Sequence, residues 1–300
     1  MEIKLLKQLT TNQGLSLHQL SKKLNLNPIE VLSLIGRIKQ IQPNLIKQNN
    51  AHYQLNYNPD WLNANLLSEL LANYQLKQYS LKLLEQINST NSYALNNLSN
   101  LADKTIISCE WQFAGRGRFG RSWLSNIAQD LTITIIYHLP LEFNLTILPL
   151  LVAIAVNRLL KDYQISNRIK WPNDIYHQRQ KIAGILVENN LRHQTNYTII
   201  GIGLDNILNV PRNLLLIQLI QHLDNLLHEY NICGFAHLRQ EWLDNCYHLH
   251  QSVNILHQNK LLASGIHTDI DTNGALLIKN SSGIHSYSSS TISLELQNGL

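Results

Sequence analysis

The sequence predicts an α+β protein in three parts: a short helix-turn-helix module, a larger mixed sheet with helices, and a small all-β end. Three observations predict it. Apolar residues recur at helical spacing between clear cap signals in the first 40 residues. Strand-like and helix-like patterns then alternate without an internal repeat to about residue 250. Beyond Gln251 only short strand patterns and turn signals follow. A length of 300 residues suits about two domains and a sizeable core. Charged residues make up only 15%, below the roughly 25% of an average soluble domain. The deficit is filled by 35 Asn, so Asn clusters carry little information by themselves.

Residues 2–10 read as a helix with Ile3, Leu5, Leu6 and Leu9 inward. Ser16 with Gln19 three residues on signals the start of a second helix, and Asn27-Pro28 places a cap and a first-turn proline ahead of a third, 28–40. The brief turn between them, 24–27, makes a helix-turn-helix pattern, and the weak alternation of 45–57 suits a two-stranded wing. A polar helix over about 60–75 then connects to the body. There, 79–87, 105–111, 131–139, 182–188 and 197–201 are strand-like, while 91–100, 149–163, 213–230 and 235–248 are helix-like. Five short strands in the last 50 residues, with the turn Asp271-Thr272-Asn273-Gly274, suggest a small β-barrel. The expected domains are 1–60, 66–250 and 251–300.

Charge is unevenly placed. Residues 1–60 hold seven Lys or Arg against three acids, and the remaining residues are balanced, so the whole excess of +4 lies in the first fifth of the chain. A small basic module on a neutral body raises the expectation of an anionic partner there. The longest clean apolar run, 145–156, is too short for a bilayer that needs about 20 residues. The start, Met1-Glu2-Ile3-Lys4, lacks a signal-peptide pattern. Three cysteines, Cys109, Cys233 and Cys246, show no CxxC spacing. Together these fit a cytoplasmic protein without disulfides.

Four segments carry chemistry. In 114–123, Gly115, Gly117 and Gly120 allow close backbone approach, while Arg116, Arg118 and Arg121 offer forked donors for phosphate or carboxylate. A disordered basic loop or RNA-binding arm would read alike. In Lys170-Trp171-Pro172-Asn173-Asp174, Pro172 keeps Trp171 out of a helix and Asn173-Asp174 form a tight turn; Asp174 suits Mg²⁺ held through water, or the segment is an ordinary turn. Lys181 opens the apolar run 181–188, where burial would require an anion unless the side chain is solvated. In 200–206, Gly201 and Gly203 mark either a turn or a close backbone approach. Cys246, His248 and His250 also cluster, without the second pair that zinc-finger spacing requires. Cys109 is expected to be a buried thiol.

Taken together and in this order, Ser89-Thr90-Asn91, the GRGR loop, KWPND, KIAGILVE and the GIG segment resemble the biotin–protein ligases, also called biotin–[acetyl-CoA-carboxylase] ligases. The resemblance continues less sharply into 270–277 and 292–294, and residues 1–60 resemble the winged helix of the bifunctional members that are also biotin operon repressors. It implies a class II synthetase-like catalytic domain and an SH3-like C-terminal barrel. It also implies an enzyme that makes biotinyl-5′-AMP from biotin and ATP with Mg²⁺, then passes biotin to a lysine of the carrier domain of acetyl-CoA carboxylase. Operator DNA and a second copy of the chain are the other partners it implies.

The same resemblance implies that Ser89, Thr90, Asn91 and Gln112 read the biotin ureido ring and that Gly115, Arg116, Gly117 and Arg118 lie in the loop that closes over biotin. Trp123 closes that loop. Lys181 lies at the biotin carboxylate and α-phosphate, and Arg116, Arg118 and Lys181 are the catalytic set. Arg118, Arg121, Trp123, Lys170, Asn173 and Asp205 hold ATP or the adenylate, with Asp174 at Mg²⁺. Asn27, Ser33, Arg37 and Lys39 are the candidates for DNA contact.

Some positions depart from the family pattern. Asn88 replaces an Asp before Ser-Thr-Asn, Phe119 stands where a second Arg is common, and Asp205 stands where Asn is expected. Only residues 206–212 separate the GIG segment from the next helix, which predicts a more open adenine pocket than in long-loop members. The third helix offers few base readers early on its exposed face, and Glu30 there opposes phosphate. Two alternatives follow: a DNA-binding biotin sensor without transfer activity, and a lipoate-type acyl-carrier ligase.

Overall fold

The computed structural model describes residues 1–10, 14–192, 194–205, 210–289 and 292–297. The first part contains helices α1 (Glu2–Gln8), α2 (Leu17–Leu24) and α3 (Pro28–Ile41) and strands β1 (Leu15–Ser16), β2 (Ile46–Asn49) and β3 (His52–Leu55). Both expected caps form reciprocal boxes. Ser16 accepts from the Gln19 amide while the Gln19 side chain accepts from Ser16 N–H; Asn27 and Glu30 do the same. Ile3, Leu5, Leu6 and Leu9 are buried, as their spacing requires, against Leu20, Val31, Leu34, Ile35 and Ile38. β2 and β3 form the expected hairpin, and β1 adds a third strand to it in the order β1-β3-β2. Two residues before a cap give too little alternation to reveal such a strand.

Helix α4 (Ala64–Asn73) leads into a seven-stranded sheet built from β4 (Ser80–Ile87), β5 (Thr105–Gln112), β8 (Leu131–Leu139), β9 (Arg168–Lys170), β10 (Asp174–His177), β11 (Gln180–Arg192) and β12 (Thr195–Leu204). Its order is β4-β5-β8-β12-β11-β10-β9; β4 and β5 are parallel and the other pairs antiparallel. A two-stranded ribbon, β6 (Gly115–Arg116) with β7 (Ser122–Trp123), carries the glycine–arginine loop. Helix α5 (Thr90–Asn96) covers one face with Ala94, Leu98, Ile107, Ile136 and Ile199. Helices α6 (Leu148–Asp162), α7 (Arg212–Cys233) and α8 (Phe235–Asp244) belong to the core on the other face, which takes Leu131, Ile133, Ile135 and Tyr137 from β8. The β-branched run 131–139 is thus a strand covered on both sides. Its Thr132 and Thr134 face the α5 side, where the cleft lies.

The last part is a five-stranded antiparallel sheet: β13 (Ser252–His257), β14 (Lys260–Ile270), β15 (Leu276–Asn280), β16 (Gly283–Tyr287) and β17 (Ile292–Leu296). The order is β16-β15-β14-β13-β17, and among the described residues no ladder joins β16 to β17. Val253, Ile255, Ile270, Leu276, Ile278, Ile292 and Leu294 share one core with α6 and Trp171, so this sheet packs directly on the central one. Asp271 organises the expected turn by accepting from the amides of Asn273 and Ala275.

The first part is also joined to the centre by buried contacts. Trp111, Ile127 and Ala128 belong to the N-terminal core. At the junction Arg212, with no exposed surface, donates to Glu110 at 2.7 Å and to the Asp60 carbonyl at 2.8 Å. The other Glu110 oxygen accepts from Leu62 N–H at 2.8 Å. No helix among the described residues is long and apolar enough to cross a membrane.

Candidate active site

The four chemistry-bearing segments meet at one open cleft on the α5 side of the sheet. Ser89, Thr90, Asn91, Gln112, Arg116, Gly117, Arg118, Arg121, Trp123, Asn173, Asp174 and Lys181 all line it. Gly115, Lys170 and Asp205 do not. Gly115 lies behind the wall, where a Cβ would come within 2.4 Å of the Gln112 side chain. The Lys170 ammonium lies over the Tyr176 ring, and Asp205 follows the end of β12.

At one end the start of α5 meets β5 and β8. Ser89 caps α5 by accepting from Ser92 N–H. Gln112 Oε1 accepts from the Thr90 amide at 2.9 Å and from its hydroxyl at 3.1 Å. Thr134 Oγ1 lies 2.6 Å from Asn91 Oδ1 and 2.8 Å from Thr90 Oγ1. The Asn91 amide donates to Glu188 at 2.9 Å. These groups are buried and mutually oriented, as rigid recognition of a polar ring requires. Asn88 Oδ1 accepts from Ser89 N–H at 2.6 Å, so the Asn in place of Asp still supports this turn.

The floor is glycine. A Cβ on Gly201 would come 2.3 Å from Asn91 Oδ1, and one on Gly203 would come 2.2 Å from the Trp123 ring. A Cβ on Gly184 would stand 2.9 Å from that ring. Gly201 and Gly203 therefore belong to the interior of β12 rather than to a turn; side chains packed onto the strand, not backbone torsion, require them. The Trp123 indole N–H is buried with no hydrogen-bond partner among the described residues.

The cations are held by specific partners. Arg116 makes a two-pronged pair with Glu188, at 2.8 and 3.0 Å, and its Nε donates to Ser92 at 2.9 Å. Arg118 donates to Asn173 Oδ1 at 3.3 Å and reaches the carbonyls of Ser289 and Ile292 in the C-terminal sheet. Burial lowers its pKa to about 10, against the raising effect of Asp174, so it stays charged at neutral pH. Phe119, at φ 56°, is exposed rather than inward, with the guanidinium groups of Arg118 and Arg121 4.8 and 5.8 Å from its ring. Lys181 pairs with Asp174 at 2.8 Å and lies 5.3 Å from the Trp123 ring. Asp174 is the single carboxylate among the lining residues.

The KWPND segment is the connection of a hairpin. Residues 171–173 form the turn, while Asp174 already belongs to β10 and pairs with Lys170 and Gly184. Asn173 ties this turn to β11: its amide donates to the Ile185 carbonyl at 2.6 Å, and Ile185 N–H donates back at 3.0 Å.

Sequence reasoning assigned no role to Glu188, Thr132 or Thr134. The two threonines had a signal, polar residues at period two inside an otherwise apolar strand. Glu188 had none, because its partner lies 72 residues away.

A model of the biotin/lipoate A/B protein ligase family matches residues 83–205, and one of the biotin protein ligase C-terminal domain matches 248–295. The bifunctional ligase/repressor BirA of Escherichia coli is 31% identical over 245 residues, which cover 73% of this chain and 75% of that protein. The chain belongs to the biotin protein ligase family. Among solved structures, a ligase of this family from Aquifex aeolicus, in complex with biotin and ATP, matches with a TM-score of 0.64 and 25% identity over 73% of this chain and 99% of that one. The synthetase from Helicobacter pylori, at 20% identity and a TM-score of 0.51, shares the ligase fold.

The candidate DNA residues lie on α3 and at its cap, outside the cleft lining, and most of them are occupied locally. Asn27 caps the helix, and Arg37 donates to Glu2 at 3.0 Å and to Ser33 at 3.2 Å. Lys39 lies in the last turn of α3. The expectation of a more open adenine pocket falls mostly on residues 206–209, outside the described residues.

Proposed function

We propose that this ligase activates biotin with ATP to biotinyl-5′-AMP and transfers the biotinyl group to a lysine of the biotin carboxyl carrier domain of acetyl-CoA carboxylase. The observation that carries the reading is the division of one cleft into a buried neutral end, around Thr90, Asn91 and Gln112, and a charged end, around Arg118, Arg121, Asp174 and Lys181. Biotin is such a molecule: a polar uncharged ring joined by an apolar chain to a carboxylate.

In this reading Thr90, Asn91 and Gln112 orient the ureido ring, with Ser89 holding the helix start. Arg116 is clamped by Glu188 and forms the wall beside it. A biotin carboxylate oxygen forms a bond to the α-phosphorus of ATP while the bond to pyrophosphate breaks. No general base is needed, since the carboxylate is already ionised. The requirement is to bring two anions together, and Lys181, Arg118 and Arg121 supply positive charge along that line. Asp174, the single lining carboxylate and here paired with Lys181, would hold Mg²⁺, which would neutralise phosphate charge at this end. In the second step the carrier lysine amine attacks the acyl carbon of the anhydride; AMP leaves and the amine loses a proton. The Trp123 ring, seated on Gly184 and Gly203, gives the acyl chain an apolar wall that limits access of water.

We read residues 1–60 as a winged helix-turn-helix and 251–300 as an SH3-like barrel. The excess of positive charge in residues 1–60 supports a second role at DNA as a biotin-responsive repressor. With Asn27 and Arg37 held by local partners, contact with phosphates is expected to be salt-sensitive.

The test is incubation with a purified carrier domain, biotin and Mg·ATP, read by intact mass. Addition of one biotinyl group, and none when lipoate replaces biotin, is expected. Transfer of lipoate would favour the lipoate-type alternative. Pyrophosphate release without transfer would favour a sensor that makes the adenylate only.

A further inference from the structure

The turn that presents Asn173 and Asp174 to the cleft is held from behind by the C-terminal sheet. Trp171 is 2% exposed, and its indole N–H donates to the Gly274 carbonyl at 3.0 Å. Its backbone N–H donates to His248 Nε2 at 3.0 Å. His248 Nδ1 lies 3.1 Å from His267 Nδ1, and His267 Nε2 lies 2.9 Å from the Asp269 carbonyl. Both imidazoles are fully buried.

The end groups dictate the protons. A carbonyl only accepts, so His267 Nε2 carries hydrogen and its Nδ1 is the acceptor in the neutral ring. Trp171 N–H only donates, so His248 Nε2 is bare and its Nδ1 carries hydrogen. The two inner nitrogens are then donor and acceptor, and every ring nitrogen is satisfied. A proton added to either ring would set two donors face to face. Burial lowers both pKa values, His267 to about 4.

Cys246 Sγ lies 3.7 Å from His248 Nδ1 and 3.9 Å from His267 Nδ1, a spacing that a tetrahedral metal ion also uses. A metal on His248 Nδ1 would move that ring's proton to Nε2, against the Trp171 N–H. Burial also pushes the Cys246 thiol up to about 12, whereas a metal takes the thiolate. The hydrogen-bonded arrangement satisfies all partners and the metal arrangement does not.

We propose that His248 and His267 are positioning residues, a neutral imidazole relay through which the C-terminal sheet fixes the Trp171–Asp174 turn at the nucleotide end of the cleft. The kinetic part of this inference rests on the ligase reading; the proton assignment does not. His248→Leu leaves Trp171 N–H and His267 Nδ1 without partners, whereas His248→Gln keeps an acceptor and a donor. The expected result is a rise of about tenfold in KM for ATP in His248→Leu, with KM for biotin within about twofold and most of the loss recovered in His248→Gln. Equal losses for both substrates, or no loss, would overturn the positioning role.

The second arm is nitrogen-15 NMR of histidine-labelled wild-type protein at pH 7, with the two signals identified by their loss in His248→Gln and His267→Gln. Two neutral rings of opposite tautomer, unchanged by Zn²⁺ alone, are expected. Matching tautomers, a protonated ring, or displacement of both signals by Zn²⁺ would overturn the relay, the last in favour of a metal site. This arm decides the relay even if the protein exchanges no pyrophosphate.

Discussion

The cleft and the exposed face of α3 carry similar residue types, arginine, asparagine and serine, but use them differently. In the cleft, Arg116 reaches across the fold to Glu188, Arg118 to Asn173 and the C-terminal sheet, and Asn91 to Glu188. On α3, Asn27 caps its own helix, Ser33 receives Arg37 one turn on, and Arg37 pairs with Glu2 in the same module. Between these polar groups the face exposes Ile29 and Leu32. Convergence from distant elements builds a site, whereas local satisfaction builds a helix. A motif's composition alone does not distinguish the two.

The largest effect is expected where the two regions join. Glu110→Gln leaves the Arg212 guanidinium buried opposite a neutral side chain, and breaking one side of such a pair costs about 3–5 kcal/mol. Chemical denaturation should show that loss; a change below about 1 kcal/mol would mean that Glu110 does not neutralise Arg212 at this junction. Within the cleft, Gly203→Ala drives a methyl into the Trp123 ring. A displacement of about 1 Å in a reacting geometry can cost about 100-fold, and biotin-dependent activity should fall on that scale. Retention of wild-type activity would show that Trp123 is not seated as described.

Asp205 at the end of β12 gives a pH-dependent contrast. Burial, with the Asp130 carboxylate nearby, pushes its carboxyl from an ordinary 3.8 up to about 7. Between those values the folded chain holds a proton that the unfolded chain has released, so this group lowers stability as pH rises through that window. The stability of Asp205→Asn relative to wild type should therefore increase from pH 4 to 7 and level off above. A pH-independent difference would place the carboxyl in solvent. The smallest effect belongs to α3: Asn27→Ala removes a cap worth about 1 kcal/mol and leaves ligase activity unchanged. Loss of DNA affinity beyond that expected from stability would make Asn27 a base reader after all.

Local physics was the legible part. Ser16–Gln19 and Asn27–Pro28 announce caps, and they form; that Glu30 closes the second box is seen only in the structure. Twelve of the residues singled out for the site line one cleft, and it was the resemblance of their short motifs to the ligase family, not their spacing, that grouped them. What the chain hid is long-range. Glu188, the junction of Glu110 with Arg212, and the meeting of His248 with His267 rather than with nearby His250 depend on pairing across the fold. The short strands β9 and β10 were hidden as well, since three or four residues give no period to read. Gly201 and Gly203 were visible as glycines, but that they seat Asn91 and Trp123 is a fact of packing.

On the proposed function, the charged end of the cleft activates a bound biotin carboxylate. Its most direct test is biotin-dependent ATP–pyrophosphate exchange in the wild type, Lys181→Ala and Asn27→Ala. Exchange should require biotin, fall at least about 100-fold in Lys181→Ala, and be unchanged in Asn27→Ala. Exchange that proceeds without biotin, or that survives the loss of Lys181, would contradict it.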